Sequence, residues 1–300
     1  QKQDGLGRFG MGISKAGIAF TELLEIYSRQ KPTDKLQSLG QFYKTYIDLR
    51  PNSPTYFSDD YYNNVLKGSP PKAEKEDIPS WIEDALGYEK TRDARTIVVL
   101  SDFTETKRKW GPKVFINNLQ NHIGVIYHKF SGDIKMSISD FMNRKTSEIK
   151  FIDPLFVTSG LEGFDLDEDR AIELPGTSIN LTEDVKNENG DIKSKKIYGE
   201  ISVRLSVMPP TFAVKSGLKD IAGIKAQGEN ANSRFRTMRD YTGVILVRNS
   251  RVIGVETRRP LRFLNNDVNI GVELNFTGKA DDLMGITNKK NSVSLSEEAW

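Results

Sequence analysis

One stretch of the chain, KVFINNLQNHIGVIYHKF at 113–130, places apolar residues at 115, 116, 119, 123, 126, 127 and 130. That helical spacing is kept for about four to five turns. Most of the remaining periodic segments read as strands. LLEIYSR at 23–29 is followed by LGQFYKTYIDLRP, stopped by Pro51, and TIVVL at 96–100 is an unbroken run of the kind that fills a sheet centre. IKMSISDF alternates, and GEISVRLSVMPP points Ile201, Val203, Leu205 and Val207 inward. TGVILVRNSRVIGVE reads as two strands around Asn249 and Ser250, VNIGVELNF as another, and NENGDIKSK carries the hairpin turn Asn189-Gly190. Shorter helices are expected over 13–22, in SWIEDALGY with Ser80 as N-cap, Glu83 as its capping-box acid and Gly87 as the stop, and in the KADDLMG segment. Residues 52–77 read as an irregular excursion. Long helix plus many strands makes the fold class α/β.

At 300 residues and 37% apolar content the chain can bury a substantial core and suits two domains. The composition shifts at NRKTSEIKFIDPLF, which sets the expected boundary near 147, giving domains 1–147 and 148–300. Basic residues number 43 and acidic residues 41, so net charge gives no reason to expect nucleic acid or an anionic membrane as an obligate partner. There is no cysteine, which removes disulfides, thiolate metal sites and a cysteine nucleophile, and suits a reducing compartment. No run of about 18 apolar residues occurs, and no signal peptide is present, so a cytoplasmic location is expected. Gln1 opens the chain without an initiator Met and close to a glycine loop, so the sequence reads as a fragment.

That loop is DGLGRFGMGISKAG, with Gly7, Gly10 and Gly12 just ahead of the expected helix at 13–22. Bare amides at a helix start can receive phosphate oxygens. A tight turn is the competing reading. The P-loop is excluded because Gly-Lys-Ser/Thr is absent, and the dinucleotide fingerprint lacks its preceding strand.

LGRFGMG followed by a helix resembles the third ATP-binding motif of the GHKL ATPase superfamily, which joins DNA gyrase B, the large heat-shock chaperones, histidine kinases and the MutL proteins. GRFGMG is particularly like bacterial and MORC-type members. TIVVLSDF, NHIGVIYHKF, DPLF, GVILVRNSRVI, GVELNF and GITNKKN are similar to later segments of the same group, in the same order. The resemblance implies the C-terminal part of a Bergerat-type α/β sandwich, followed by a β-rich, transducer-like α+β domain. It implies ATP as cofactor with Mg²⁺, held by Gly7, Arg8, Phe9, Gly10, Met11 and Gly12. Thr96 matches the adenine-side hydroxyl, although Arg95 stands where the family has glycine. Gly176 and Thr177 form a literal Gly-Thr pair that reads as a turn. Lys290, with Lys289 the close second, matches the lysine that reaches the γ-phosphate. The resemblance further implies a homodimer with a DNA or protein client. The family's general base, Mg²⁺ ligand and adenine-reading aspartate precede the glycine loop, so this chain alone is expected to hydrolyse ATP negligibly.

Other patterns carry less. Asp165, Asp167 and Asp169 have calcium-loop spacing, but Arg170 and Gly176 stand where glycine and glutamate are required, so a solvated acidic loop is expected. His122 and His128 do not share a helix face and are read as surface or boundary residues, not a metal pair. Gly217, Gly223 and Gly228 read as a flexible loop. KRKWGPK at 107–113 and SRFRTMRDY at 233–241 contact nucleic acid only if their cations share one face. The alternative function is a non-hydrolysing module that binds nucleic acid or a protein. A metabolic enzyme with another phosphorylated substrate lacks a visible acid/base pair.

Overall fold

Alternating β-branched and aromatic residues in the first third of the chain make an antiparallel sheet, and the second half builds a larger one of its own. The structure is a computed structural model that describes residues 21–29, 40–51, 53, 74–89, 93–103, 111–164, 169–186, 192–215, 217–218, 223–226, 228, 231–257 and 268–286. These residues divide into two compact units, one within 9–116 and 138–147 and the other within 117–137 and 148–300. The described elements are of both kinds and strand-rich, as expected for an α/β chain. Among the described residues no helix is long and apolar enough to cross a membrane.

In the first unit, β1 (Thr21–Ser28), β2 (Tyr43–Asp48), β3 (Glu74–Lys75) and β4 (Thr96–Phe103) form a sheet of order β3-β2-β1-β4. Every pairing is antiparallel, with Leu24 opposite Ile47 on one side and Leu100 on the other. Tyr27, Phe42 and Val99 bury against Ile82 of α1 (Ser80–Tyr88), with Ile78, Leu86 and Ile97 around them. Each such side chain is worth about 1.5–3 kcal/mol when fully buried. Four details depart from expectation. Thr21 and Glu22 belong to β1, not to a helix. The excursion at 52–77 contains the two-residue strand β3, which pairs with β2. Pro79, not Ser80, occupies the N-cap of α1 without a side-chain capping bond, and the helix runs past Gly87 to Tyr88. TIVVL lies in the edge strand of the described sheet, where Val98 and Leu100 stay 43% and 39% exposed. Also in this unit, residues 138–140 of β5 (Ser137–Asp140) turn back through Arg144 onto β6 (Lys145–Glu148).

α2 (Pro112–Ile126) is the long helix, closed by a 3₁₀ turn at His128–Phe130. In the second unit β7 (Ile172–Lys186), β8 (Ile192–Val207), β9 (Val244–Arg248), β10 (Arg251–Glu256) and β11 (Ile270–Phe276) form one sheet of order β10-β9-β11-β8-β7. β9 and β11 run parallel and the other pairs antiparallel. VILVR of β9 is buried throughout because both faces of the sheet are covered. On one face Ile245 and Val247 pack with Val125, Ile152, Leu155, Phe156, Met208, Phe212 and Met238 of α3 (Ala231–Asp240). On the other, Val244, Leu246, Ile201 and Phe276 pack with Ala280, Met284 and Ile286. Gly176-Thr177 is not a turn: it sits inside β7 where the register with β8 shifts between Leu174 and Thr177, and a Cβ on Gly176 would strike the Val203 carbonyl. Asn249 and Ser250 make the expected turn with φ of 48° and 64°. The Asn189-Gly190 turn lies outside the described residues, but β7 and β8 are paired as it requires.

Candidate functional site

Where α2 gives way to its 3₁₀ turn, the second unit buries a group of ionisable side chains against its sheet. His128, in that turn, is only 2% exposed, which corrects the expectation of a surface or boundary residue, while His122 in the helix is exposed. The helix ends at Ile126, so His128 no longer follows the helical phase that put it outside. Its Nδ1 lies 2.8 Å from the carbonyl oxygen of Val125 and, facing an acceptor, carries the ring proton. The other nitrogen, Nε2, is buried without a hydrogen-bond partner and faces Asp153 Oδ1 and Glu273 Oε2, both at 3.8 Å.

Asp153 comes from the DPLF segment, which follows a backbone bond from Ile152 N–H to the Gly124 carbonyl of α2. Its carboxylate receives the Leu155 N–H on Oδ1 at 3.0 Å, and the Thr158 N–H and hydroxyl on Oδ2 at 3.1 and 2.6 Å. Glu273 stands on β11 opposite Arg204 of β8. Its Oε1 accepts from Asn275 at 2.7 Å and Arg204 at 3.3 Å and pairs with Lys129 Nζ at 2.8 Å, while Oε2 has no hydrogen-bond partner. Arg204 also approaches Asp153 Oδ2 at 3.7 Å and bonds Glu173 at 3.0 Å. Asp153 and Glu273 are 1% and 0% exposed.

Burial pulls the His128 pKa below its ordinary value, against the raising effects of Asp153, the Val125 carbonyl and Glu273, so the ring is neutral at pH 7. Burial alone would raise Asp153, and the hydrogen bonds from Thr158 and the Leu155 amide, with the Arg204 charge, act in the opposite direction; a neutral His128 adds no charge to help them. His128, Asp153 and Glu273 offer one donor atom each, all within 4.8 Å of one another, and this trio could hold a metal ion.

Of the residues singled out for ATP, Thr96 is the one within the described residues. It is exposed, opens β4 opposite Ser28 of β1, and follows a backbone held in place by Arg29, whose N–H donates to the Arg95 carbonyl at 2.9 Å and whose Nε donates to the Ala94 carbonyl at 2.8 Å. Gly7, Arg8, Phe9, Gly10, Met11, Gly12, Lys289 and Lys290 lie outside the described residues. So do Asp165 and Asp167, whereas Asp169 accepts from the Thr211 hydroxyl at 2.9 Å. In the SRFRTMRDY segment the three cations do not all share a face. Arg234 is buried with its guanidinium 4.1 Å from the Phe212 ring centroid, while Arg236 and Arg239 are exposed.

Sequence reasoning passed over Glu273, Arg204 and Lys129. The readable signal was a charge at 273 flanked by apolar residues on both sides within a strand, together with an arginine in β8. No protein-family model matches the chain, and no curated protein matches it.

Proposed function

We propose that the chain is part of an ATP-driven conformational switch of the gyrase, MutL and MORC kind. Residues 1–147 would be the later part of a Bergerat-type sandwich, and the remainder a transducer-like α+β domain. The observation that carries this reading is the placement of Thr96. A strand pair (β1, β2) follows the glycine loop in sequence, β4 adds to the far side of β1, and Thr96 begins β4 with an exposed hydroxyl on a backbone held by Arg29. A hydroxyl on a fixed strand end can bond an adenine edge directly or through water. The resemblance assigns that role to this position. In the same reading the amides of residues 7–12 take the phosphates, and Lys290 supplies positive charge to the γ-phosphate. Mg²⁺ comes with the nucleotide, and binding favours a homodimer and so gates a DNA or protein client.

Calorimetric titration of the full-length protein with a non-hydrolysable ATP analogue and Mg²⁺ tests it. Saturable binding is expected, weakened about three- to tenfold by Thr96→Val, the loss of one hydrogen bond, with turnover falling far more than affinity in Lys290→Ala. Absence of nucleotide binding, or Thr96→Val and Lys290→Ala both without effect, would overturn the reading.

A further inference from the structure

We propose that His128, Asp153 and Glu273 form a binding site for one divalent transition-metal ion, with zinc the best match. This site is independent of the nucleotide reading and lies wholly within the second unit. The argument rests on where the lone pairs point. With the proton of His128 committed to the Val125 carbonyl, Nε2 presents a bare lone pair. It faces two carboxylate oxygens at 3.8 Å, and neither Nε2 nor Glu273 Oε2 has a hydrogen-bond partner. Two unmet acceptors, Nε2 and Glu273 Oε2, therefore converge in a buried place beside Asp153 Oδ1, which accepts only the Leu155 N–H, and leaving them unmet is costly. A metal ion satisfies both unmet atoms and takes a spare lone pair of Asp153 Oδ1 as its third ligand, where a water molecule only donates to the two; the titration below distinguishes them.

The geometry is close to what such an ion needs. Tetrahedral zinc with N and O ligands near 2.1 Å sets its ligand atoms about 3.4 Å apart, so side-chain rotations of a few tenths of an ångström close the 3.8 Å gaps from Nε2, while the trio as a whole, within 4.8 Å, must also draw its two carboxylates together. The remaining atoms are arranged as supports. Val125 fixes the imidazole through Nδ1, Thr158 holds Asp153 by its outer oxygen, and Lys129, Arg204 and Asn275 hold Glu273 by Oε1. Lys129 and Arg204 also balance the two carboxylate charges. The pocket has too few oxygens for calcium or magnesium, and its imidazole favours a nitrogen-seeking ion.

The chain has two histidines, which makes the test clean. The chelator-treated chain is titrated with Zn²⁺ by calorimetry, and with Co²⁺ followed by visible absorption. One equivalent per chain is expected, with full uptake retained in His122→Ala and affinity lowered about 100-fold or more in His128→Ala and in Glu273→Gln, each checked for folding by circular dichroism. Should those two variants fail to fold, the decision falls to His122→Ala, whose single imidazole is His128. Bound Co²⁺ must then shift its NMR signals strongly. No stoichiometric uptake, uptake lost in His122→Ala, or unshifted His128 signals in that variant would overturn the proposal.

Discussion

At the scale of single residues, the second unit treats its buried charges in two ways. Arg248 and Asp281 meet in a two-pronged pair, Nε to Oδ1 at 2.6 Å and Nη2 to Oδ2 at 2.9 Å, so each planar group satisfies the other. His128, equally deep, is left looking across 3.8 Å gaps. Tyr241 offers a separate test. Burial, aided by the Asp240 charge, pushes its phenol up to about 12. An unfolded chain loses that proton near pH 10, so between these values the folded state holds more protons. The stability present below pH 10 is lost as pH rises toward 12. Tyr241→Phe is therefore expected to raise the midpoint of alkaline unfolding, and an unchanged midpoint would remove Tyr241 as a cause.

At the scale of elements, the contact of α2 with the chain ahead of DPLF is set by the absence of a side chain. A Cβ on Gly124 would collide with the Lys150 carbonyl, one residue after Ile149 and two before the Ile152 N–H that bonds Gly124. Gly124→Ala gains up to about 1 kcal/mol of helix propensity, yet the backbone clash is expected to cost more, for a net loss of about 1–2 kcal/mol in urea unfolding. Because His128 lies four residues on, zinc uptake should weaken as well. The strands themselves were legible: β2, β9, β10 and β11 fall where alternation and turn residues put them. Two things were not. Alternation in β11 separates Val272, Leu274 and Phe276 from Glu273 and Asn275, which a sequence reader assigns to solvent. In this sheet both faces are covered, so the polar side is buried too. TIVVL likewise told of a strand but not of its neighbours, since an apolar run carries no label for edge or centre. The candidate site was not legible as a site: His128 read as a surface or boundary residue, DPLF, which contains Asp153, was noted only for its resemblance, and Arg204 and Glu273 come together through pairing across 69 positions of sequence, which no local pattern encodes.

At the scale of the whole molecule, a net charge of +2 on 300 residues gives little mutual repulsion between copies. β7 is an edge strand of the described sheet and carries Ile172 and Ile179 exposed at 62% and 53%, beside Ile192 and Ile197 of β8 at 58% and 59%. Unpaired backbone with an apolar margin invites edge-to-edge association. Ile179→Lys is expected to lower concentration-dependent self-association in sedimentation while leaving the circular dichroism spectrum unchanged; equal association in both proteins would show that this edge takes no part.

The order β10-β9-β11-β8-β7 has a consequence for how the chain is made. As it leaves the ribosome, the β7–β8 and β9–β10 ribbons emerge first, each able to form from neighbouring residues. The strand that must slip between β8 and β9 is the last of the five to be synthesised. Until Ile270–Phe276 is out, the nascent protein holds two half-sheets with open inner margins, and Glu273 reaches its histidine only when the seam is closed.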